Sequence, residues 1–152
     1  MTRFVYVLFF ALGACAPEQR STSVNERSPI EGTWQLLSAQ NITGEDTVFT
    51  DYTVGMKGIK MLNQNYFAFF SHDLNKGTDS LNTKYGSGSG SYTYQDGHYV
   101  ENLEYCTARQ WEGNTFEFEL ILQGDTLIQQ GVERIEELGV DRVIREIYVR
   151  ID

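Results

Sequence analysis

Thr115 to Glu133 reads TFEFELILQGDTLIQQGVE, and this stretch decides the class of fold. Phe116, Phe118, Leu120 and Leu122 alternate with Glu117 and Glu119, a period of two that puts apolar groups on one face of a strand and carboxylates on the other. Gly124-Asp125 then interrupts the pattern, and a second β-rich run, Thr126 to Glu133, follows. Two such runs joined by two turn-forming residues read as a β-hairpin.

Working outward, the same grammar repeats. Ser91 to Gln95 and His98 to Thr107 flank Asp96-Gly97, and Asp-Gly suits a type I′ turn because both central residues need positive φ. Lys57 to Leu62 and Tyr66 to His72 flank Asn63-Gln64-Asn65. Thr33 to Gln40 is a first strand. Val143 to Ile151 is a last one, entered through Leu138-Gly139-Val140-Asp141. Only Val132 to Leu138 has helix-like residues, and it is short. About eight strands in sequential hairpins predict an all-β fold, an antiparallel up-and-down β-barrel or a sandwich. Phe67-Ala68-Phe69-Phe70 is apolar on both faces, which places that strand under other structure. Asn75 to Ser91 (NKGTDSLNTKYGSGSGS) reads as a long mobile loop at a barrel mouth.

The chain has 152 residues, 41% hydrophobic and 13% aromatic, enough for one domain with a sizeable core. Its 12 Lys and Arg face 21 Asp and Glu, a net charge of −9 at pH 7. That balance argues against binding to nucleic-acid phosphates. Two Cys do not make a disulfide framework.

The N-terminus reads as an address. Met1-Thr2-Arg3 is a basic start, and Phe4 to Leu12 (FVYVLFFAL) is an apolar run too short to span a membrane, where about 20 residues are needed. The run ends in Leu12-Gly13-Ala14-Cys15, which resembles the lipobox of bacterial lipoproteins. The resemblance implies a signal peptide over residues 1–14 and acylation of Cys15. The alternative is an ordinary signal peptide cut near Ala14 or Ala16, with Cys15 incidental. Several acyl chains on one Cys give stable anchoring, and Ala16 in place of Asp implies, by resemblance to enteric lipoproteins, the outer membrane. Pro17 to Pro29 is polar, with Val24 its single aliphatic residue, so residues 15–29 read as the lipidated Cys and a flexible tether. The barrel domain is then 30–152, in an envelope lipoprotein facing the periplasm or the cell surface.

Gly32-Thr33-Trp34-Gln35-Leu36 opens that domain and resembles the Gly-x-Trp start of the lipocalin and fatty-acid-binding-protein superfamily. In those barrels the Trp closes one end and an Arg of the last strand packs on its ring, which implies that role for Trp34 with Arg150. The stretch Gly90 to Tyr105, Gly124-Asp125-Thr126-Leu127 and the terminal Arg are similar to lipocalin-like domains of bacterial secreted proteins, most of which have no assigned function. The two-helix lid of the fatty-acid-binding proteins has no counterpart, because Asn41 to Met56 is polar and lacks helical periodicity.

Two strand faces mix aromatic and charged groups, as the wall of a site for an amphipathic molecule does. One is Tyr99, Glu101, Leu103 and Tyr105. The other is Ile144, Glu146, Tyr148 and Arg150, although the opposite face of that strand, Arg145, Ile147, Val149 and Ile151, competes for the interior. The expected ligand-binding set is Tyr92, Tyr99, Glu101, Phe118 and Tyr148, for a small apolar or amphipathic ligand, neutral or cationic before fatty acid. No catalytic residue is expected. Glu101 and Glu104 face opposite ways on a strand, and no spacing pairs His72 or His98 with Cys106. No metal or cofactor is expected, since no close His/Cys spacing occurs. Three functions follow: a ligand-binding lipoprotein, a side-chain-filled barrel that acts on an envelope protein partner, and, least favoured, an enzyme.

Overall fold

Three two-residue turns, 64–65, 96–97 and 124–125, gather at one end of the molecule. The computed structural model describes residues 27–152. The expected signal peptide, Cys15 and most of the tether lie outside the described residues. Nine strands follow in chain order: β1 Gly32–Thr43, β2 Asp46–Asp51, β3 Met56–Asn63, β4 Tyr66–Asp73, β5 Tyr85–Gln95, β6 His98–Cys106, β7 Thr115–Gln123, β8 Thr126–Ile135 and β9 Val140–Arg150. All pairings are antiparallel. The order is β2-β1-β3-β4-β5-β6-β7-β8-β9, and β1 also pairs with β9, so eight strands close into a barrel with β2 as an extra strand. At Asp96-Gly97 both φ values are positive, 51° and 88°, the conformation the Asp-Gly dipeptide favours.

β1 serves two neighbours along one edge. Gly32 to Leu36 pairs with β3, and Ser38 to Thr43 pairs with β2. Its register against β9 slips between Leu36 and Ser38. A bulge of this kind bends a strand; beyond it β1 stays paired with β9 as far as Ile42 but takes β2 instead of β3 as its other neighbour. Asn41 to Met56 is therefore mostly hairpin. Its polarity follows from position, since β2 stands off the barrel with Val48 and Phe49 largely exposed.

Two further expectations change. The Gly/Ser-rich half of Asn75 to Ser91 is strand, not loop: β5 starts at Tyr85. A Cβ on Gly88 would lie 2.5 Å from the Phe69 ring, and one on Gly90 would collide with the Asn102 carbonyl oxygen. The glycines are there because neighbouring strands fill the space, a packing need that local sequence does not display. The remaining loop is tied down, because the Asp73 carboxylate accepts the Gly77 and Lys84 amides at 2.8 Å each. The β4 strand is not covered on both faces. Phe67 is buried, while Phe70 is 40% exposed. The helix-like 132–138 segment is β8 out to Ile135 and then a 3₁₀ turn, Glu136–Leu138.

The short turns define the closed end. The connections 44–55, 74–84, 107–114 and 136–139 lie at the other end. The core runs up the barrel axis from Ile30, Trp34, Phe67 and Leu127 to Leu36, Phe116 and Ile144.

Candidate binding cavity

At the closed end the Arg150 guanidinium carbon lies 4.1 Å from the centroid of the Trp34 ring. The β1–β9 register sets Trp34 opposite Arg150. Both terminal guanidinium nitrogens donate to the chain entering β1, Nη1 to the Glu31 carbonyl at 2.6 Å and Nη2 to the Pro29 carbonyl at 2.7 Å. The Trp34 indole N–H donates to the Ile30 carbonyl at 2.9 Å, and Ile30 is itself fully buried. These two bonds hold Arg150 at the closed end, away from the open one.

A polar layer crosses the middle of the barrel. Lys60 is 2% exposed. Its ammonium donates to Glu101 Oε1 and, at 2.6 Å, to Gln129 Oε1. It also sits 5.0 Å from the Tyr99 ring centroid and 5.5 Å from that of Phe67, a favourable seat for a cation. β3, β6 and β8 supply this triad. Below it, Tyr92 and Tyr99 are buried with hydroxyls that meet no hydrogen-bond partner among the described residues. Burial raises the Tyr99 phenol well above its ordinary range, and burial with Glu31 nearby pushes Tyr92 up to about 12.

Above the layer a cavity of about 220 Å³ opens toward the long-loop end. Of the expected ligand-binding residues, Glu101, Phe118 and Tyr148 line it. Tyr92 and Tyr99 do not, because they pack beneath the Lys60 layer. An aromatic ladder nevertheless connects the two levels. Tyr92–Tyr99, Tyr99–Phe118, Phe118–Phe116 and Phe116–Trp111 have centroids 5.2, 6.5, 6.4 and 5.8 Å apart. Trp111 ends a 3₁₀ turn, Arg109–Trp111, beside the mouth. The Arg142 guanidinium lies 5.3 Å from its centroid and pairs with Glu133 at 2.5 Å.

Of the two competing faces of β9, Ile144, Glu146 and Tyr148 face inward. Ile144 and Tyr148 are each 4% exposed, and Glu146 and Tyr148 both line the cavity. The Glu146 carboxylate accepts the Tyr148 hydroxyl at 2.6 Å and has no cation within ion-pair distance among the described residues. Burial raises its pKa, opposed by Lys60 and the Tyr148 hydroxyl and reinforced by Glu133 and Glu101. Burial also raises Glu133, against the pull of Arg142. On β6 the inward row breaks after Leu103. Register slips there, with Leu103 opposite Gly90 and Tyr105 opposite Ser89, so Glu104 is the extra residue. Tyr105 is turned outward, 66% exposed, and Cys106 comes in to line the cavity instead.

Lys60, Trp111, Arg142 and Glu133 escape the sequence reading. In Lys57 to Leu62 the apolar alternation points to Ile59 and Met61 as the inner face, and the structure turns Gly58, Lys60 and Leu62 inward. Trp111, an isolated Trp in a connection, is the one signal that was available. The histidines are engaged elsewhere: His72 Nδ1 lies 2.8 Å from the Asp73 carbonyl oxygen, and His98 meets Glu117 at 3.2 Å. Among the described residues no three His, Cys, Asp or Glu side chains group as metal ligands would.

No family model matches the chain, and no curated protein does. Among solved structures it is similar to an uncharacterized protein from Bacteroides eggerthii DSM 20697, with 13% identity over 80% of this chain and 98% of that one, at a TM-score of 0.45.

Proposed function

We propose that the chain is a lipid-anchored envelope lipoprotein whose barrel binds a small, mostly apolar ligand. The cavity above the Lys60 layer carries this reading. An eight-stranded barrel is either just filled by side chains or holds one small ligand, and this one retains about 220 Å³. A cavity of about 150 Å³ accepts benzene, and drug-sized sites start near 300 Å³. The fit is a single ring with a short polar arm, not a long acyl chain. The anchor rests on the Leu12 to Cys15 lipobox.

Native mass spectrometry of the protein purified from its own envelope tests the reading. The expected result is a small-molecule mass increment that Phe118→Ala reduces. An unmodified mass, together with side chains closing the cavity in a crystal structure, overturns it. One observation favours a second reading, action on an envelope protein partner: Val48 and Phe49 are 61% and 59% exposed on the hairpin that stands off the barrel. An enzymatic role has no comparable support.

A further inference from the structure

We infer that the cavity selects a small aromatic amine, with Glu146 as counter-ion to its ammonium and the Phe118–Phe116–Trp111 wall against its ring. This deepens the binding reading above and rests on it. Charge inside the barrel carries the inference. Three carboxylates, Glu101, Glu133 and Glu146, face two cations, Lys60 and Arg142. Lys60 is engaged by Glu101 and Gln129, and Arg142 by Glu133. Among the described residues Glu146 has only the Tyr148 hydroxyl within hydrogen-bond distance, at 2.6 Å, and Lys60, already engaged, acts on it without an ion pair. A carboxylate removed from bulk water without a cation is costly, so the empty cavity favours a proton on Glu146 and the filled one a cationic ligand in its place.

An anionic ligand meets the reverse. Both interior cations already have carboxylate partners, and the excess charge would repel it. Arg150, the remaining inward guanidinium, is held at the closed end by the Glu31 and Pro29 carbonyls. The ring fits because the wall is aromatic and rigid, and the volume leaves room for little more than a ring and a two-carbon arm. The net charge of −9 also steers cations toward the protein.

The groups facing Glu146 are Tyr148 on β9, Glu133 on β8, Lys60 on β3, Glu101 on β6 and Tyr52 beyond β2. Burial holds Glu146 protonated to higher pH than a free carboxylate. Ammonium binding must release that proton, so affinity rises with pH through its titration.

The test is calorimetric titration of the mature chain in nanodiscs, with empty nanodiscs as blank, using 2-phenylethylamine, 2-phenylethanol and phenylacetate. The amine should bind on the order of tenfold tighter than the alcohol at pH 8 and phenylacetate weakest. The amine's advantage should shrink as pH is lowered toward the free-carboxylate range, about pH 4, while the alcohol's affinity stays level. Glu146→Gln should erase the advantage and the pH dependence, whereas Trp111→Ala should weaken amine and alcohol alike. Equal or tighter binding of alcohol or acid, or an advantage that survives Glu146→Gln, overturns the inference and leaves the binding reading standing. If none of the three binds, the inference falls. If native mass spectrometry also finds no increment, the binding reading falls with it.

Discussion

Lys60 and Glu101, 41 positions apart in the chain, form an ion pair inside the barrel with 3% and 8% of their side chains exposed. Such a pair contributes less to stability than it puts at risk. The two charges lose hydration on burial, and their attraction roughly offsets that loss. Removing one partner leaves the other charged in an apolar interior. Lys60→Met should therefore destabilise the domain by about 3–5 kcal/mol, and Glu101→Leu by a comparable amount. The double variant should lose less than the two single losses added together, by a coupling of about 1–3 kcal/mol. Urea unfolding of the four forms measures this. Additive losses would mean that the two groups do not share their burial.

Trp34 and Arg150 link the first strand to the last. Trp34→Ala removes a fully buried ring and should cost about 3–5 kcal/mol. Arg150→Lys keeps the charge but loses the planar fork that reaches the Glu31 and Pro29 carbonyls. It should loosen the entry to β1, seen as faster amide exchange at Trp34 and Ile151, with a smaller loss in denaturant midpoint. A Trp34→Ala loss under about 1 kcal/mol would mean the ring bears little of the closure.

What the sequence displayed were the local signals. Asp96-Gly97 and Gly124-Asp125 mark turns because positive φ restricts the residue choice, and the Phe116 to Leu122 alternation marks a strand with one wet face. The inward direction of β3 was not legible. Whether Lys60 or Ile59 faces the axis depends on Glu101 and Gln129, which lie on strands far along the chain. Tyr105 faces out because a bulge around Glu104 breaks the period of two, and a bulge leaves no mark in composition. The Gly86 to Gly90 strand looked like a loop because its missing side chains belong to the packing of Phe69 and the β6 backbone. At the site, Glu101 and Phe118 follow from alternation; on β9 alternation leaves two faces in competition, and the closed barrel decides for Tyr148, just as Arg142, Glu133 and Trp111 depend on how the open end is assembled. The pairing of Trp34 with Arg150 came from the resemblance to lipocalins rather than from periodicity.

Cys15 lies outside the described residues, and its role rests on Leu12-Gly13-Ala14-Cys15 behind the apolar run. Cys15→Ser should leave the precursor unprocessed and should abolish incorporation of labelled palmitate. Wild-type protein should fractionate with outer membranes. Label retained by the variant would remove the lipobox reading and, with it, the anchor.

Buried tyrosines and carboxylates set the pH range of stability. Asp73, Glu112 and Asp152 have carboxylates held below their ordinary values, first by backbone N–H donors, at Gly77, Cys106 and Thr33 respectively. The stability they contribute is present above the unfolded carboxylate pKa, about 4, and is lost as pH falls below it. Glu146 and Glu133 are shifted the other way by burial. Their folded forms keep a proton that the unfolded chain releases near pH 4.5, so stability falls as pH rises through their raised values. Tyr92, Tyr99 and Tyr148 are raised as well, Tyr92 to about 12. Their contribution is intact below pH ~10, the unfolded phenol value, and for Tyr92 it is lost between there and about 12. Stability should therefore fall away below pH ~4, decline above it as Glu146 and Glu133 lose their protons, and collapse above pH ~10. Urea midpoints from pH 3 to 11 trace this curve. Glu146→Gln should flatten the decline above the free-carboxylate range, because the Tyr148 hydroxyl can still donate to the amide oxygen while the titrating carboxylate is gone. A decline that the variant leaves unchanged would place the burden on Glu133 and take Glu146 out of this balance.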